Sequence, residues 1–393
     1  MLQTERLINA LNESPAFLRK SILKLLIKQE KYDKSLTPTI KNRVALNFAS
    51  SYYYSLYSPS MCAYTAYRLG LKAVGVNDYA SLASSKEFKK ACKVLNMPYV
   101  LGYHAECEPL FNEVKASCYT YGVPFTKIKL IEKELKLIRV EKKEYVEALV
   151  KKINSRLKKY SIFVPILEVM ASSTYLQGGA VTEKHVAKIL AKKIIERFKT
   201  GEEIINFLTT VLKINVASEE KDYLTLSNNK YLNEDLTRVI YNNVHVFKAG
   251  ETLRDASELL SLDEITGAIT AYKLRLKNFD KNFILNAIST LKGKNFNAVA
   301  FSSDALTETE TNEIANIFIE NDLLPIEVDR AGMPRQVIDA KPMNETLYNS
   351  AKAVIGNAVS SSVSVDDGMF SKNTISKCPS ILKRIEIFKN VTE

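Results

Sequence analysis

Residues 71 to 102, LKAVGVNDYASLASSKEFKKACKVLNMPYVLG, contain the pattern that decides the fold. The run KAVGV predicts a strand, SSKEFKKACKVLN predicts a helix that begins at serine, and PYVLG predicts a second strand. Upstream, VALNF (residues 44 to 48) predicts another strand, and MCAYTAYRLG (residues 61 to 70) predicts a helix that ends at Gly70. Strands that alternate with helices pair in parallel. The sequence therefore predicts an α/β fold.

The rest of the chain divides into three parts by pattern. Residues 1 to 40 predict an N-terminal helical cap, and residues 41 to 393 predict a single β/α barrel. A mainly helical stretch at about residues 127 to 260 interrupts the barrel, after which the alternation of strands and helices resumes. We therefore expect a barrel with a helical insertion.

Composition limits the classes of protein to which the chain belongs. Its 393 residues are 46% apolar and 25% charged, which is ordinary for a globular protein. The N-terminus does not resemble a secretory signal, and no run of eighteen apolar residues occurs. Five cysteines without a CxxC pair argue against a disulfide framework and a zinc finger. We expect a cytoplasmic protein with no membrane partner.

The net charge of +11 is concentrated in one stretch of this basic protein. Residues 127 to 160 contain twelve Lys or Arg and five Glu, alternating with apolar residues at helical intervals. This pattern is typical of a solvated amphipathic helix. It also fits a face that binds nucleic acid or another polyanion, although no recognition motif accompanies it.

The carboxyl ends of the predicted strands are where α/β folds place their chemistry. They read Asn47-Phe48-Ala49, Asp78-Tyr79 and Gly102-Tyr103-His104. The segment from residue 57 to 102 resembles the first third of a PHP (polymerase and histidinol phosphatase) domain, whose strands end here in His-x-His, Asp-His and Gly-x-Glu. The resemblance implies a distorted β/α barrel that binds up to three divalent metals and hydrolyses phosphate esters.

Most metal ligands of that family are replaced in this chain. Asn47 and Ala49 stand at the His-x-His positions, Tyr79 replaces the histidine after Asp78, and His104 stands in the Gly-x-Glu motif. Imidazoles and carboxylates hold the cations that activate water and polarise phosphate. The replacements therefore imply that the metal cluster is lost.

Later positions in the resemblance follow the same trend. Tyr272 stands where a strand usually ends in Ala-His, and Arg330 and Gly332 fall on the family's late Asp-x-His. Arg330 would repel a metal cation, and it could equally attract a phosphate or a carboxylate. His185 retains the histidine of an internal segment, GGAVTEKHVAKILAKKIIERF.

The surviving donors leave two interpretations open. Asp78, His104, Glu106 and His185 could hold a single divalent metal, which would be Zn, Mn or Fe. Alternatively, Asp78 caps a turn and a helix start, and His185 is a hydrogen-bonded helix residue behind a cap at Thr182.

The tyrosines also have two interpretations. Tyr52, Tyr53 and Tyr54 could pack in the former metal pocket, where Tyr79 and Tyr272 would join them. They could instead form an aromatic surface that binds a ligand.

We predict a catalytically inactive PHP-like protein, a pseudoenzyme without a cofactor. Its role would be binding, scaffolding or assembly, through an unknown protein partner or through self-assembly. The alternative is a metal-dependent phosphoesterase with a remodelled and reduced metal site.

Overall fold

The computed structural model describes residues 2–32, 41–113, 115–226, 228–328 and 343–391. One seven-stranded sheet has its strands in chain order. β4 is antiparallel to both of its neighbours, and all other adjacent strands are parallel. The predicted α/β class is confirmed. The strands are β1 (Lys41–Phe48), β2 (Leu71–Tyr79), β3 (Tyr99–Cys107), β4 (Ala116–Tyr121), β5 (Ile269–Leu274), β6 (Ala298–Phe301) and β7 (Leu324–Glu327).

Helices precede, connect and follow the strands. The two N-terminal helices occupy the predicted cap, and Ser14 and Pro15 separate them. The helices are α1 (Leu2–Glu13), α2 (Ala16–Tyr32), α3 (Pro59–Arg68), α4 (Ser85–Leu95), α5 (Ile128–Leu157), α6 (Ile166–Ala171), α7 (Glu183–Arg197), α8 (Gly201–Asn206), α9 (Ser218–Thr225), α10 (Leu232–Asn242), α11 (Ala256–Thr266), α12 (Lys281–Gly293), α13 (Glu308–Glu320), α14 (Glu345–Val363), α15 (Lys372–Lys377) and α16 (Ile381–Lys389).

Side chains of β1 and β7 bridge the seam of the sheet, which is a nearly closed barrel. Asn47 Nδ2 donates to the Glu327 carbonyl oxygen at 3.4 Å. Arg43 Nη2 lies 4.0 Å from Glu327 Oε2, and both side chains are buried. Ser303 also donates to the Glu327 carboxylate. The first and last strands are therefore joined through polar side chains, and the predicted β/α barrel is confirmed.

Local signals explain where α3, the helix that connects β1 to β2, begins and ends. Ser58 accepts from Met61 N at 3.1 Å, and Pro59 occupies the first turn of α3. Gly70 follows this helix with a φ of 71°, which favours glycine. The predicted helix end at Gly70 is therefore confirmed.

The chain divides into two compact units. The barrel unit comprises Met1–Leu135 and Leu253–Glu393, and the helical unit comprises Lys136–Thr252. Each unit has its own apolar core: helices α1 to α4 pack on the outer face of β1 to β3, and α5, α7 and α10 supply most of the other core. Among the described residues, no helix is long and apolar enough to cross a membrane.

Candidate functional site

The interior of the barrel is identified by a hydrogen bond that crosses it. Tyr121 on β4 donates from its hydroxyl to Asn47 Oδ1 at 2.9 Å, although β2 and β3 lie between the two strands in the sheet. Both side chains are buried. Burial raises the pKa of Tyr121 well above its usual value, so the phenol stays protonated and can donate. Asn47 therefore donates to Glu327 and accepts from Tyr121.

A row of aromatic side chains lies on the same interior face. Tyr79 pairs with His104 and His104 pairs with Tyr119 in the sheet register, and Tyr119 is two residues from Tyr121. The His104 ring stacks on Tyr119 with centroids 5.0 Å apart and meets the edge of Tyr79 at 5.5 Å. Tyr53, from the loop after β1, meets the same ring at 4.9 Å. These rings form a continuous set of contacts at the barrel mouth.

Lys273 adds a cation to this row. Its partner in register is Ala300, and its neighbour two residues back, Ala271, pairs with Tyr119. The ammonium lies 5.6 Å from the centroid of the Tyr119 ring, within range of a cation–π interaction. We call Tyr53, Tyr79, His104, Tyr119 and Lys273 the mouth cluster. Sequence reasoning missed Tyr119 and Lys273, although the alternation of Tyr119 and Tyr121 on β4 is visible in the sequence.

Hydrogen bonds determine the tautomer of His104. Asn77 Nδ2 donates to the Thr120 carbonyl at 3.3 Å, which leaves Asn77 Oδ1 as an acceptor. His104 Nδ1 lies 3.0 Å from that oxygen and must be the donor. The neutral ring therefore carries its proton on Nδ1 and its lone pair on Nε2. Fixing one ring nitrogen in this way is how proteins orient metal-binding histidines.

Asp78 has a different environment from His104. Its Oδ1 accepts from Ser50 N at 2.7 Å, and its Oδ2 accepts from the hydroxyls of Ser50 at 2.7 Å and Ser84 at 2.6 Å. The side chain is fully buried, and burial raises its pKa while the three hydrogen bonds oppose that shift. Ser84 is the N-cap residue of α4, but its side chain bonds to Asp78 instead of capping the helix. Asp78 thus joins the β1 loop to the start of α4.

The register separates Asp78 from His104. Asp78 pairs with Tyr103, whereas Tyr79 pairs with His104. Because successive side chains leave a strand on opposite faces, Asp78 and His104 point away from each other. Glu106 shares the face of His104, and its Oε2 lies 3.5 Å from Lys115 Nζ. Of the three candidate ligands in the barrel unit, only His104 and Glu106 lie on one face.

Ala49 and the serine- and tyrosine-rich loop follow β1. The Ala49 side chain offers no ligand atom, and its carbonyl accepts from Cys62 Sγ at 3.4 Å. Tyr52 N donates to Ser50 Oγ at 3.2 Å. Tyr53 is the tyrosine of this loop that joins the mouth cluster, where its ring stacks at 5.9 Å on Tyr79.

Tyr272 does not face the mouth, contrary to our expectation. It pairs in register with Cys118, so it leaves the sheet on the face opposite Tyr119. Its hydroxyl donates to Glu113 Oε1 at 2.6 Å and accepts from Leu110 N at 3.0 Å. Ala271 faces the interior, and so the next residue, Tyr272, faces the outer side of the sheet. The expectation was wrong because it did not take this alternation into account.

The remaining candidates are distributed between the helical unit and the undescribed stretches. His185 lies in the helical unit, where Thr182, the N-cap of α7, donates from its backbone N to His185 Nδ1 at 3.1 Å. The structure thus gives His185 a hydrogen-bonding role at a helix start, with Thr182 as the cap. Arg330 and Gly332 lie outside the described residues.

The helical unit contains a buried ion triad that sequence reasoning did not detect. Lys142 Nζ lies 2.8 Å from Glu183 Oε2 and 2.6 Å from Glu251 Oε1. The ammonium also lies 4.9 Å from the Tyr145 ring centroid. In the sequence, Lys142 is one of many lysines on α5, and only the fold reveals that it is buried.

Comparisons with known proteins agree with the fold. No family model matches the chain, and no curated protein matches its sequence. The solved structures that resemble it include a protein assigned as a metal-dependent phosphoesterase from Bifidobacterium adolescentis (TM-score 0.53, 12% identity) and an amidohydrolase from Chromobacterium violaceum with bound sulfate and no metal (TM-score 0.54, 10% identity). Each match covers 79% of this chain and 96% of the other. At these identities the likeness shows the fold alone.

Proposed function

We propose that this protein is a PHP-like barrel that has lost the polynuclear metal centre and acts by binding rather than by catalysis. One observation carries the proposal: the strand ends that would supply ligands carry groups already engaged within the protein. Asn47 is hydrogen-bonded to Tyr121 and Glu327, and Tyr79 packs against Tyr53 and His104.

The donors of the barrel unit do not fit a cluster of divalent metals. Such a cluster needs several imidazoles and carboxylates that converge on one point. Asp78 faces away from His104 and accepts three hydrogen bonds, while Ala49 has no donor atom. Lys273 places a positive charge on the same interior face, which disfavours further cations there.

The mouth cluster suggests which ligands such a protein would bind. Tyr79 and His104 are buried, whereas Tyr53, Tyr119 and Lys273 are partly exposed. Two partly exposed rings and one ammonium group suit a planar, negatively charged molecule, because stacking and charge act together. A binding role of this kind needs no bound metal.

Metal analysis of the purified protein tests the proposal. The chain is produced in medium supplemented with Zn, Mn and Fe, and the bound metal is then measured by mass spectrometry. We expect well below one metal ion per chain and no hydrolysis of p-nitrophenyl phosphate. A stoichiometric complement of two or three ions, together with turnover, would overturn the proposal.

A reduced metal site is the second candidate, and the orientation of His104 favours it. Nδ1 donates to Asn77, so the lone pair of the neutral ring lies on Nε2, and Glu106 shares the same face. This candidate requires one ion per chain and a loss of that ion in His104→Ala. His245→Ala is the matched control, because His245 is an exposed residue of the helical unit.

A further inference from the structure

The end of α5 and the segment after it form an unusual stretch of surface in the helical unit. Residues 151 to 167, KKINSRLKKYSIFVPIL, contain five Lys or Arg and no Asp or Glu. Lys151, Lys152, Lys158 and Lys159 are exposed, and within the described ranges none of them forms an ion pair. The fifth cation, Arg156, points inward and donates to main-chain carbonyls.

Two large apolar side chains project from the same stretch. Phe163 is 63% exposed and Leu167 is 79% exposed. Their orientation follows from their neighbours: Val164, just before the N-cap of α6, and Val169, in its first turn, are fully buried, as in a hydrophobic staple. With these two valines directed inward, Phe163 and Leu167 are directed outward.

Two hydrogen bonds join Asn154 on α5 to the backbone of Val164, next to Phe163. Asn154 Nδ2 donates to the Val164 carbonyl at 2.9 Å, and Asn154 Oδ1 accepts from Val164 N at 2.8 Å. On a helix, residues three before and four after Asn154 share its face, and these are Lys151 and Lys158. Val164, and with it the neighbouring Phe163, is therefore bonded to the face of α5 that carries Lys151, near the helix end that Lys158 and Lys159 follow.

We propose that this basic apolar surface, formed by Lys151, Lys152, Lys158, Lys159, Phe163 and Leu167, docks the protein on an anionic lipid bilayer. Lys159 contacts the Tyr160 ring, with its ammonium 5.0 Å from the ring centroid, and the four lysines form no ion pair among the described residues. Outward Phe and Leu side chains among such lysines are the composition of interfacial membrane-binding segments, in which apolar groups enter the interface and lysines contact acidic headgroups. A purely electrostatic site for nucleic acid would not need the two apolar side chains. The docking is peripheral, and it replaces our expectation from the sequence that the protein has no membrane partner. It is independent of the function proposed for the barrel.

Vesicle co-sedimentation of the full chain tests the proposal. We expect binding to vesicles of phosphatidylcholine with 30 mol% phosphatidylserine (about a third acidic lipid, a range in which surface charge attracts lysines), weaker binding at high salt, and none to phosphatidylcholine alone. Each lysine contributes about fivefold to such affinities. Lys151→Gln with Lys152→Gln should thus weaken binding by more than about tenfold, and so should Phe163→Ser with Leu167→Ser.

Matched controls come from exposed residues elsewhere in the helical unit. Lys221→Gln with Lys230→Gln removes the same charge, and Leu226→Ser removes an apolar side chain that is 58% exposed. Neither control should change binding. Loss of binding in the controls to the same extent, or full binding by the Phe163→Ser, Leu167→Ser variant, overturns the proposal.

A fluorescence measurement gives an independent readout of insertion. The chain contains no tryptophan, so Phe163→Trp and Leu226→Trp each introduce a single reporter. Anionic vesicles should shift the Trp emission to shorter wavelength in the Phe163→Trp variant and leave it unchanged in the other. Absence of a shift overturns the proposal, as does binding to duplex RNA without binding to vesicles.

Discussion

Replacing Asp78 by alanine tests whether its carboxylate is a structural hydrogen-bond acceptor or a metal ligand. The substitution leaves three buried donors without their acceptor, namely the Ser50 amide and the hydroxyls of Ser50 and Ser84. A buried donor without a partner costs about 1–3 kcal/mol, and removing a desolvated carboxylate returns part of that cost. We therefore expect Asp78→Ala to lower the free energy of unfolding by about 3–5 kcal/mol.

A double-mutant cycle and hydrogen exchange test whether the loss of stability in Asp78→Ala comes from these three hydrogen bonds. In a background with Ser50→Ala and Ser84→Ala, Asp78→Ala should cost only about 1–2 kcal/mol, because one backbone donor remains. Exchange of the Ser50 amide should accelerate in Asp78→Ala, which reports on the β1 loop itself. Asp222→Ala, at an exposed position of α9, is the control and should change stability by less than about 0.5 kcal/mol. If Asp78→Ala is as harmless as the control but removes a bound metal, the structural assignment fails.

Three further predictions concern the same sheet. Gly102→Ala places a Cβ 2.3 Å from a backbone carbonyl of β4 and should destabilise the protein by about 1–3 kcal/mol in urea unfolding, whereas Gly293→Ala, with nothing within 4 Å, should be neutral. Nitrogen NMR should show the Nδ1–H tautomer of His104, and Asn77→Leu should abolish that preference. Burial raises the pKa of Asp78, so the folded protein binds this proton more tightly than the unfolded chain does. The resulting stabilisation is fully present below about pH 4 and is lost as the pH rises through the raised pKa. Asp78→Asn should therefore flatten this part of the curve of unfolding free energy against pH.

Local sequence signals predicted β1 to β3 and the helices between them, but the expectation of parallel pairing missed β4, which is antiparallel to both of its neighbours. The segment from residue 71 to 102 forms β2, α4 and the start of β3, because its apolar runs and its serine start act over a few residues. The direction of a side chain at a strand end depends instead on register. Tyr79 and Tyr272 were both expected at the mouth, yet one residue of alternation directs Tyr272 outward.

Local sequence patterns also do not predict the hydrogen-bond partners of Asp78. Ser50 precedes it by 28 residues and Ser84 follows it by six, and only the fold brings their hydroxyls onto one carboxylate. Lys142 illustrates the same limit, since its partners Glu183 and Glu251 are 41 and 109 residues away. Polar contacts between residues far apart in the sequence depend on the topology of the fold, and the spacing of residues along the sequence does not predict them.

The substitutions at the barrel mouth are consistent with one another physically. Removing metals from the imidazoles and carboxylates of a PHP centre would leave polar and charged groups without partners in a poorly solvated space, which is costly. In this chain the interior positions are instead an amide, an imidazole and phenols, and Tyr121 donates directly to Asn47. The Glu106 carboxylate, which shares the face of His104, is paired with Lys115. The proposed binding function requires a mouth that is stable without ions, in which a ligand contacts the partly exposed Tyr53, Tyr119 and Lys273 side chains.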